Sequence, residues 1–334
     1  MKTRIIFFIF MVIVGLVSCE TDDNVDKKVS YLDYLNDKSI IAIQIQNDTK
    51  YIFTSRYCDT CYVAPYMSYI PSIEEWTVIK NDSIFENYSP NRFPGLPRSD
   101  NKGNLYIAKA NNIYKLNKSG EYEQLLTTGE YVFQSFTFDN DDNIWFYGNN
   151  NGIAFWNKLD LKIYNTSNSS LPTNRIHGLA VDKSGVVWVS LDFKGLLKIE
   201  SGKWTVIPNS EIPGLSEYSY LRGPKIVVDN SVWFEVFSPD TTSNVLRLEN
   251  GDWIYEFPDN TKYCNLNIDS KGTIWAINNH YDYSDYQYST LKYYMNNSWI
   301  NFDISDIHKQ ILTVNADDKK VYIGTIKGLI EKPR

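Results

Sequence analysis

The sequence predicts an all-β fold, a seven-bladed β-propeller of four-stranded antiparallel blades. Three observations predict it. Residues 175–208, RIHGLAVDKSGVVWVSLDFKGLLKIESGKWTVIP, read as four short β runs at 176–181, 186–191, 195–199 and 204–207. β-Branched and aromatic residues fill the runs, while Gly, Asp and Ser supply the turns between them. The same meander recurs along the chain. Its second run is anchored by Tyr51, Tyr106, Trp145, Trp188, Trp233, Trp275 and Tyr322, at spacings of 55, 39, 43, 45, 42 and 47 residues. That period belongs to propeller blades. Finally, Trp145, Trp188, Trp233 and Trp275 share the second-run anchor, and Trp76, Trp204, Trp253 and Trp299 begin the fourth run. A residue type confined to equivalent repeat positions points to packing between neighbouring sheets.

Taken in order, the chain begins with a targeting segment. Lys2 and Arg4 precede an apolar run of thirteen residues, 5–17, too short for the roughly 20 residues of a membrane-spanning helix. It ends in Leu16-Val17-Ser18-Cys19, which resembles the bacterial lipobox and implies cleavage before Cys19 and lipid attachment to it. Residues 1–18 therefore read as a lipoprotein signal peptide and 19–28 as an acidic tether. The latter includes Glu20, Asp22 and Asp23, like the acidic export tag of surface lipoproteins. Residues 29–334 form one propeller. The expected location is the outer membrane, by lipid anchor, facing the surface or the periplasm.

Loss of Lys2 and Arg4 takes the formal charge from −7 to −9. An acidic body without a Lys/Arg run argues against nucleic acid and against a basic membrane-binding patch. The 25 tyrosines suit a β protein. The last repeat has runs at 311–314, 321–324 and 329–332 and then the chain stops. Residues 29–35 lead into the first run of blade 1 at 40–45, so they are expected to close the ring as the outer strand of the last blade, with a short helix as the competing reading.

The blocks AVDKSGVVWVSLDFKGLLKI, NIDSKGTIWAIN and TFDNDDNIWFYGNNNGIAFWN resemble two-component regulator propeller repeats, as found in periplasmic sensor regions of hybrid histidine kinases. The resemblance spans about residues 31–334 and is loosest in blades 1 and 5. It departs from that family in having one propeller, no following membrane helix and no kinase. The resemblance therefore implies a ligand-binding or interaction propeller carried as a lipoprotein. Streptogramin-lyase propellers are similar at the same Asp…Gly…Trp turn, which keeps a lyase or hydrolase as the alternative.

In such a meander, first-to-second and third-to-fourth turns lie on one face of the ring. Second-to-third and inter-blade loops lie on the other, and here these are the longer ones, so loop-borne function belongs there. Loops at 56–72 and 278–288 flank a short last-blade turn at 325–328. A groove is expected between Tyr57, Tyr66 and Tyr69 on one side and His280, Tyr281, Tyr283 and Tyr286 on the other. Its stacking faces and hydroxyls suit a glycan, a peptide or a partner protein. The same tyrosines can also pack on one another to order long loops.

Cys58 and Cys61 read as a structural disulfide or two free thiols, with no βαβ context for redox chemistry and no second pair for zinc. Residues 139–143 alternate like a calcium loop, but Ile144 and Asn150 replace the required Gly and Glu. His177, His280 and His308 fall on the long-loop face without a carboxylate at fixed spacing. No catalytic residue, metal or cofactor is expected, and the chain reads as a monomer. Cys19→Ser should abolish lipid labelling and release the protein from membranes. Fractionation checks it, since each buried CH₂ of an acyl chain adds about 0.8 kcal/mol that an acidic surface cannot replace.

Overall fold

The computed structural model describes residues 32, 35–46, 49–55, 66–70, 75–79, 98–116, 122–148, 150–226, 230–237, 245–256, 265–282 and 285–334. The expected signal peptide, Cys19 and the tether lie outside them.

Six antiparallel sheets of four strands are strung along the chain as up-and-down meanders, followed by one sheet of three. Blade 1 holds β1 to β4 (Ser39–Gln46, Thr49–Ser55, Tyr66–Ile70, Glu75–Ile79). Blade 2 holds β5 to β8 (Arg98–Ser99, Leu105–Lys109, Asn112–Leu116, Tyr122–Thr127), and blade 3 holds β9 to β12 (Phe133–Phe138, Ile144–Gly148, Gly152–Trp156, Leu161–Tyr164). Blade 4 holds β13 to β16 (Ile176–Val181, Val187–Leu191, Gly195–Glu200, Lys203–Ile207). Blade 5 holds β17 to β20 (Tyr220–Ile226, Val232–Phe237, Val245–Glu249, Asp252–Glu256), and blade 6 holds β21 to β24 (Asn265–Ile268, Ile274–Asp282, Asp285–Met295, Ser298–Asn301). The three-stranded sheet is β25 to β27 (Ile311–Ala316, Lys320–Thr325, Gly328–Pro333). First strands are innermost: β9 meets β13, then β13 meets β17, β17 meets β21, β21 meets β25, and β25 meets β1. This is an all-β propeller.

The turn chemistry explains why these residues make this meander. In blade 4 one oxygen of Asp182 accepts the backbone N–H groups of Ser184 and Val186, at 2.9 and 3.0 Å. Its other oxygen accepts the indole N–H of Trp188 at 3.1 Å. Asp269 does the same for Lys271, Thr273 and Trp275, each at 2.9 Å. Asp100 and Asp317 clasp the hydroxyls of Tyr106 and Tyr322. Gly103, Gly185 and Gly272 share the one turn position with φ of 81° to 82°, where a side chain would be strained. Blade 5 substitutes Ser231, whose hydroxyl accepts the Trp233 indole N–H at 2.8 Å. Asp139 binds the N–H groups of Asp141 and Asn143, so residues 139–143 form a hairpin turn.

The clasp fixes where each anchor ring goes. Trp188 packs with Leu221 and Phe234 of blade 5, Trp233 with Leu266 of blade 6, and Trp275 with Ile311 and Val314 of the three-stranded sheet. Tyr106 joins Phe136 of blade 3, and Tyr322 joins Ile43 of blade 1. Fourth-strand tryptophans face the other way: Trp253 packs on the cluster shared with blade 4, and Trp299 on that shared with blade 5. The tryptophans thus fill inter-sheet space, and truncating a fully buried one to alanine costs about 3–5 kcal/mol.

The N-terminal segment differs from its expected strand. Leu32 and Leu35 are helical, and the rest of 29–35 lies outside the described residues. Leucines three apart share a helix face. Leu35 is fully buried with Ile40, Ile52, Tyr322 and Leu329, so its burial stabilises a plug between first and last sheets. The segment after it is also tied down: Gly328 N–H donates to the Lys38 carbonyl at 2.8 Å, and Ser39 Oγ donates to the Ile326 carbonyl at 2.9 Å.

Across the same junction, buried Lys50 pairs with Asp317 at 3.0 Å. Burial opposes ionisation of Asp317. The N–H groups of Lys319 and Lys320, together with Lys50 and the Tyr322 hydroxyl, outweigh it and hold the carboxyl at about 2. Because the folded value lies below the ordinary one, this stabilisation is full above about pH 4 and is lost as pH falls toward 2. Asp317→Asn should cost about 3 kcal/mol at pH 7 by stranding the Lys50 charge. It should also flatten the acid limb of stability, as read by urea melts at several pH values.

Candidate functional site

The two faces of the ring are chemically unlike. On the tight-turn face, each turn's polar groups are committed to the next turn. Asn101 N–H donates to Asp142 at 2.8 Å, Asn140 Nδ2 to the Lys183 carbonyl at 2.9 Å, and Lys183 N–H to Asn230 at 3.1 Å. Ser270 N–H donates to Asn315, whose Nδ2 donates to the Ile43 carbonyl. These stitches leave little to offer a ligand.

On the opposite face lie all four exposed aromatic side chains among the described residues. They are Phe193, Tyr218, Tyr281 and Tyr288, at 41, 62, 50 and 54% exposure. Tyr281 and Tyr288 stand on blade 6, where structure and sequence expectation diverge. The stretch expected as a loop at 278–288 is mostly strand, because β22 and β23 extend into a long hairpin. His280 pairs with Tyr288 and Tyr281 with Tyr286 across the ladder. The first pair stacks at 4.2 Å and the second meets edge-on at 6.1 Å. Cross-strand aromatic pairs of this kind stabilise a ladder by roughly 0.2–1 kcal/mol each, which extends the hairpin. Tyr286 also hydrogen-bonds Ser289 at 3.0 Å.

The remaining expected groove residues are placed as follows. Tyr66 and Tyr69 lie within β3, opposite Phe53 and Lys50, not in a loop. Tyr57, Tyr283, Cys58 and Cys61 lie outside the described residues. The last-sheet turn is tight, with Thr325 Oγ1 donating to the Gly328 carbonyl at 2.9 Å. His308 is exposed in the connection before β25.

A second cluster was not foreseen. His177 Nε2 donates to Asp192 Oδ1 at 2.6 Å, and Arg175 pairs with the other carboxylate oxygen at 2.9 Å. A carboxylate only accepts, so the imidazole proton sits on Nε2. The His177 ring stacks on Tyr220 at 4.1 Å, Tyr220 stacks on Phe237 at 4.7 Å, and Phe193 meets Tyr220 edge-on at 5.3 Å. Each of these residues sits at the end of a β13–β14 or β17–β18 ladder, or one step beyond it, so the stack lies at the long-loop rim of the inner strands. Ile176 pairs with Leu191, which places the neighbouring His177 and Asp192 together at the ladder's end. The arrangement can hold a flat ring or planar group beside an oriented imidazole.

A shallow cavity of about 350 Å³ also opens on this face, beside Tyr131, Asn151, Asn165 and Asn174. Two of its amides are already spent: Asn165 accepts Ser167 N–H, and Asn174 accepts Thr166 N–H. The aromatic clusters, not this cavity, carry the recognisable chemistry.

No protein-family profile and no curated protein matches the chain. Solved structures do. The extracellular domain of a hybrid two-component system from B. thetaiotaomicron aligns at 17% identity and TM-score 0.62, over 88% of this chain and 39% of that one. A catalytically inactive virginiamycin B lyase from Staphylococcus aureus with quinupristin aligns at 14% and 0.64, over 89% and 94%. PorZ, a surface component of the type-IX secretion system of Porphyromonas gingivalis, aligns at 13% and 0.58, over 88% and 46%. The chain spans well under half of the first of these. At such identities the likeness is one of fold. Among the described residues no helix is long and apolar enough to cross a membrane.

Proposed function

We propose that this chain is a cell-envelope lipoprotein whose propeller captures a glycan, a peptide or a partner protein on its long-loop face. The observation that carries this is the confinement of the four exposed aromatics among the described residues to that face. Exposed rings gathered on one face suit a binding surface, and the opposite face is occupied by its own stitching. The likeness in fold to an extracellular sensor-system domain and to a secretion component supports a binding role. In this reading Tyr281, Tyr286 and His280 belong to the binding surface, with Tyr57, Tyr66, Tyr69 and Tyr283 as further contributors.

The same reading takes β25 to β27 as the seventh blade, with 29–35 packed against it. A chain starting at residue 38 should then melt earlier and self-associate, because it exposes the apolar surface of Ile40, Ile52, Tyr322 and Leu329 that Leu35 covers. Unchanged melting and monodispersity would reduce the segment to a tether.

The alternative of a lyase or hydrolase draws on one group, His177 oriented by Asp192, which has the geometry of a general base. Binding is favoured over it because His177 is covered by Tyr220 on one face. Turnover abolished by His177→Ala, on any substrate found, would reverse that preference.

A glycan and peptide array probed with the soluble chain from residue 22 should yield a ligand. Tyr281→Ala with Tyr288→Ala should then weaken its binding at least tenfold, two aromatic contacts being worth about 0.5–1.5 kcal/mol each. Unchanged affinity in a folded double variant would remove the hairpin from the site.

A further inference from the structure

Below the rim stack, the innermost strands carry charged residues. Tyr220 pairs with Phe237 in the β17–β18 ladder, and two residues deeper Arg222 pairs with Glu235. Alternate residues share a sheet face, so the aromatic rung leads onto the charged one. A bulge follows at Gly223 and Pro224, with Gly223 at φ 51°, and resets the register before Lys225. From blade 2, Arg98 on β5 joins the same electrostatic group, coupled to Lys225 and to Tyr147 of blade 3. Blade 4 makes room for this grouping. Its inner strand carries Gly178, where a side-chain carbon would come within 2.8 Å of the Gly223 nitrogen and of Pro224.

The grouping holds three cations and one carboxylate, and that carboxylate is already engaged. Glu235 accepts the Leu266 N–H from blade 6 at 2.9 Å. Among the described residues, none of Arg98, Arg222 and Lys225 has an ion pair or a hydrogen bond. The Arg98 Nε in particular is buried without an acceptor. Elsewhere this chain pairs its enclosed cations with care. Lys50 has Asp317, and Arg247 has both Glu249 and Glu256. Burial also weakens the charge of the unpaired ones. Lys225 is lowered by desolvation and then by Arg98, and Arg98 is lowered by desolvation. Three cations that share Glu235 as their one counter-charge, two of them enclosed, cost free energy, and an anion between them offsets that cost.

We propose that the axial shaft is a binding site for an anionic group, a carboxylate, sulfate or phosphate, held between Arg98 of blade 2 and Arg222 and Lys225 of blade 5. The guanidinium groups supply planar paired donors and Lys225 a point charge. The site does not depend on the long-loop-face reading, since its residues lie on inner strands and not on the exposed hairpin.

The test is thermal unfolding of the folded chain in sodium sulfate, sodium phosphate or sodium glucuronate, with sodium chloride holding ionic strength constant. At least one of the three should raise Tm along a saturating curve. A response to glucuronate alone identifies the carboxylate of a larger ligand, and a response to sulfate or phosphate identifies a tetrahedral oxyanion. Arg98→Gln and Lys225→Gln should each raise the apparent dissociation constant at least tenfold. Lys271→Gln, on the tight-turn face, should leave it unchanged. Should either shaft variant fail to fold, the exposed Arg222→Gln provides the same reading. The proposal is overturned if no anion gives a saturating shift, or if the shift persists undiminished in the shaft variants.

Discussion

The rest of this structure depends on a buried turn carboxylate that binds its own backbone with one oxygen and an aromatic ring with the other. Asp182 shows it most fully, taking two backbone N–H groups and the Trp188 indole. Charge-assisted bonds of this kind are roughly twice as strong as neutral ones. More important, one residue sets both the hairpin between the first two strands and the position of a large ring in the next interface. Local turn chemistry and long-range packing therefore agree, which is what a repeat needs if each blade is to pack on the next. Blade 5 shows the limits of substitution. Ser231 replaces the carboxylate for Trp233, and the ring gains Arg247 at 5.3 Å over its face.

The clasp divides the molecule by chemistry. Its turns all lie on one face, and their spare amides bind the neighbouring turn, as Asn101, Asn140 and Lys183 do. That face is thereby made structural. The other face is free of this constraint, and its loops and hairpins vary from blade to blade: a long tyrosine hairpin on blade 6, an imidazole–carboxylate pair on blade 4, a tight turn on the last sheet. Between the faces, the inner strands of blades 2 and 5 carry Arg98, Arg222 and Lys225.

Much of the fold was legible in the sequence, because the clasp demands fixed residue types at fixed offsets. Asp, then Gly, then Trp or Tyr identifies blades 2, 4 and 6 on its own, and the Trp or Tyr anchor at the same spacing carries the rest. Val29 to Leu35 reads as a strand or as a short helix, and the helical Leu35, buried with Tyr322 and Leu329, supports the second. The blade 6 hairpin was hidden because Asn278, Asn279 and the Asp residues read as loop formers, whereas the register that pairs His280 with Tyr288 favours a ladder. The place of Asp192 just after Leu191, the strand partner of Ile176, was the available signal for its pairing with His177. The shaft cations gave no signal at all. Arg222 and Lys225 share β17 while Arg98 is about 125 residues earlier, and only the packing of the blades around the ring brings Arg98 toward Lys225.

The central claim is that one face of the ring binds and the other holds the ring together. Amide hydrogen exchange on the chain with and without its captured ligand tests this most directly, because it reads both faces in one measurement. Added protection is predicted at 192–194, 216–220 and 280–288, with the turns at 182–186 and 269–272 unchanged. Protection confined to those turns, with the long-loop segments unaffected, would contradict it.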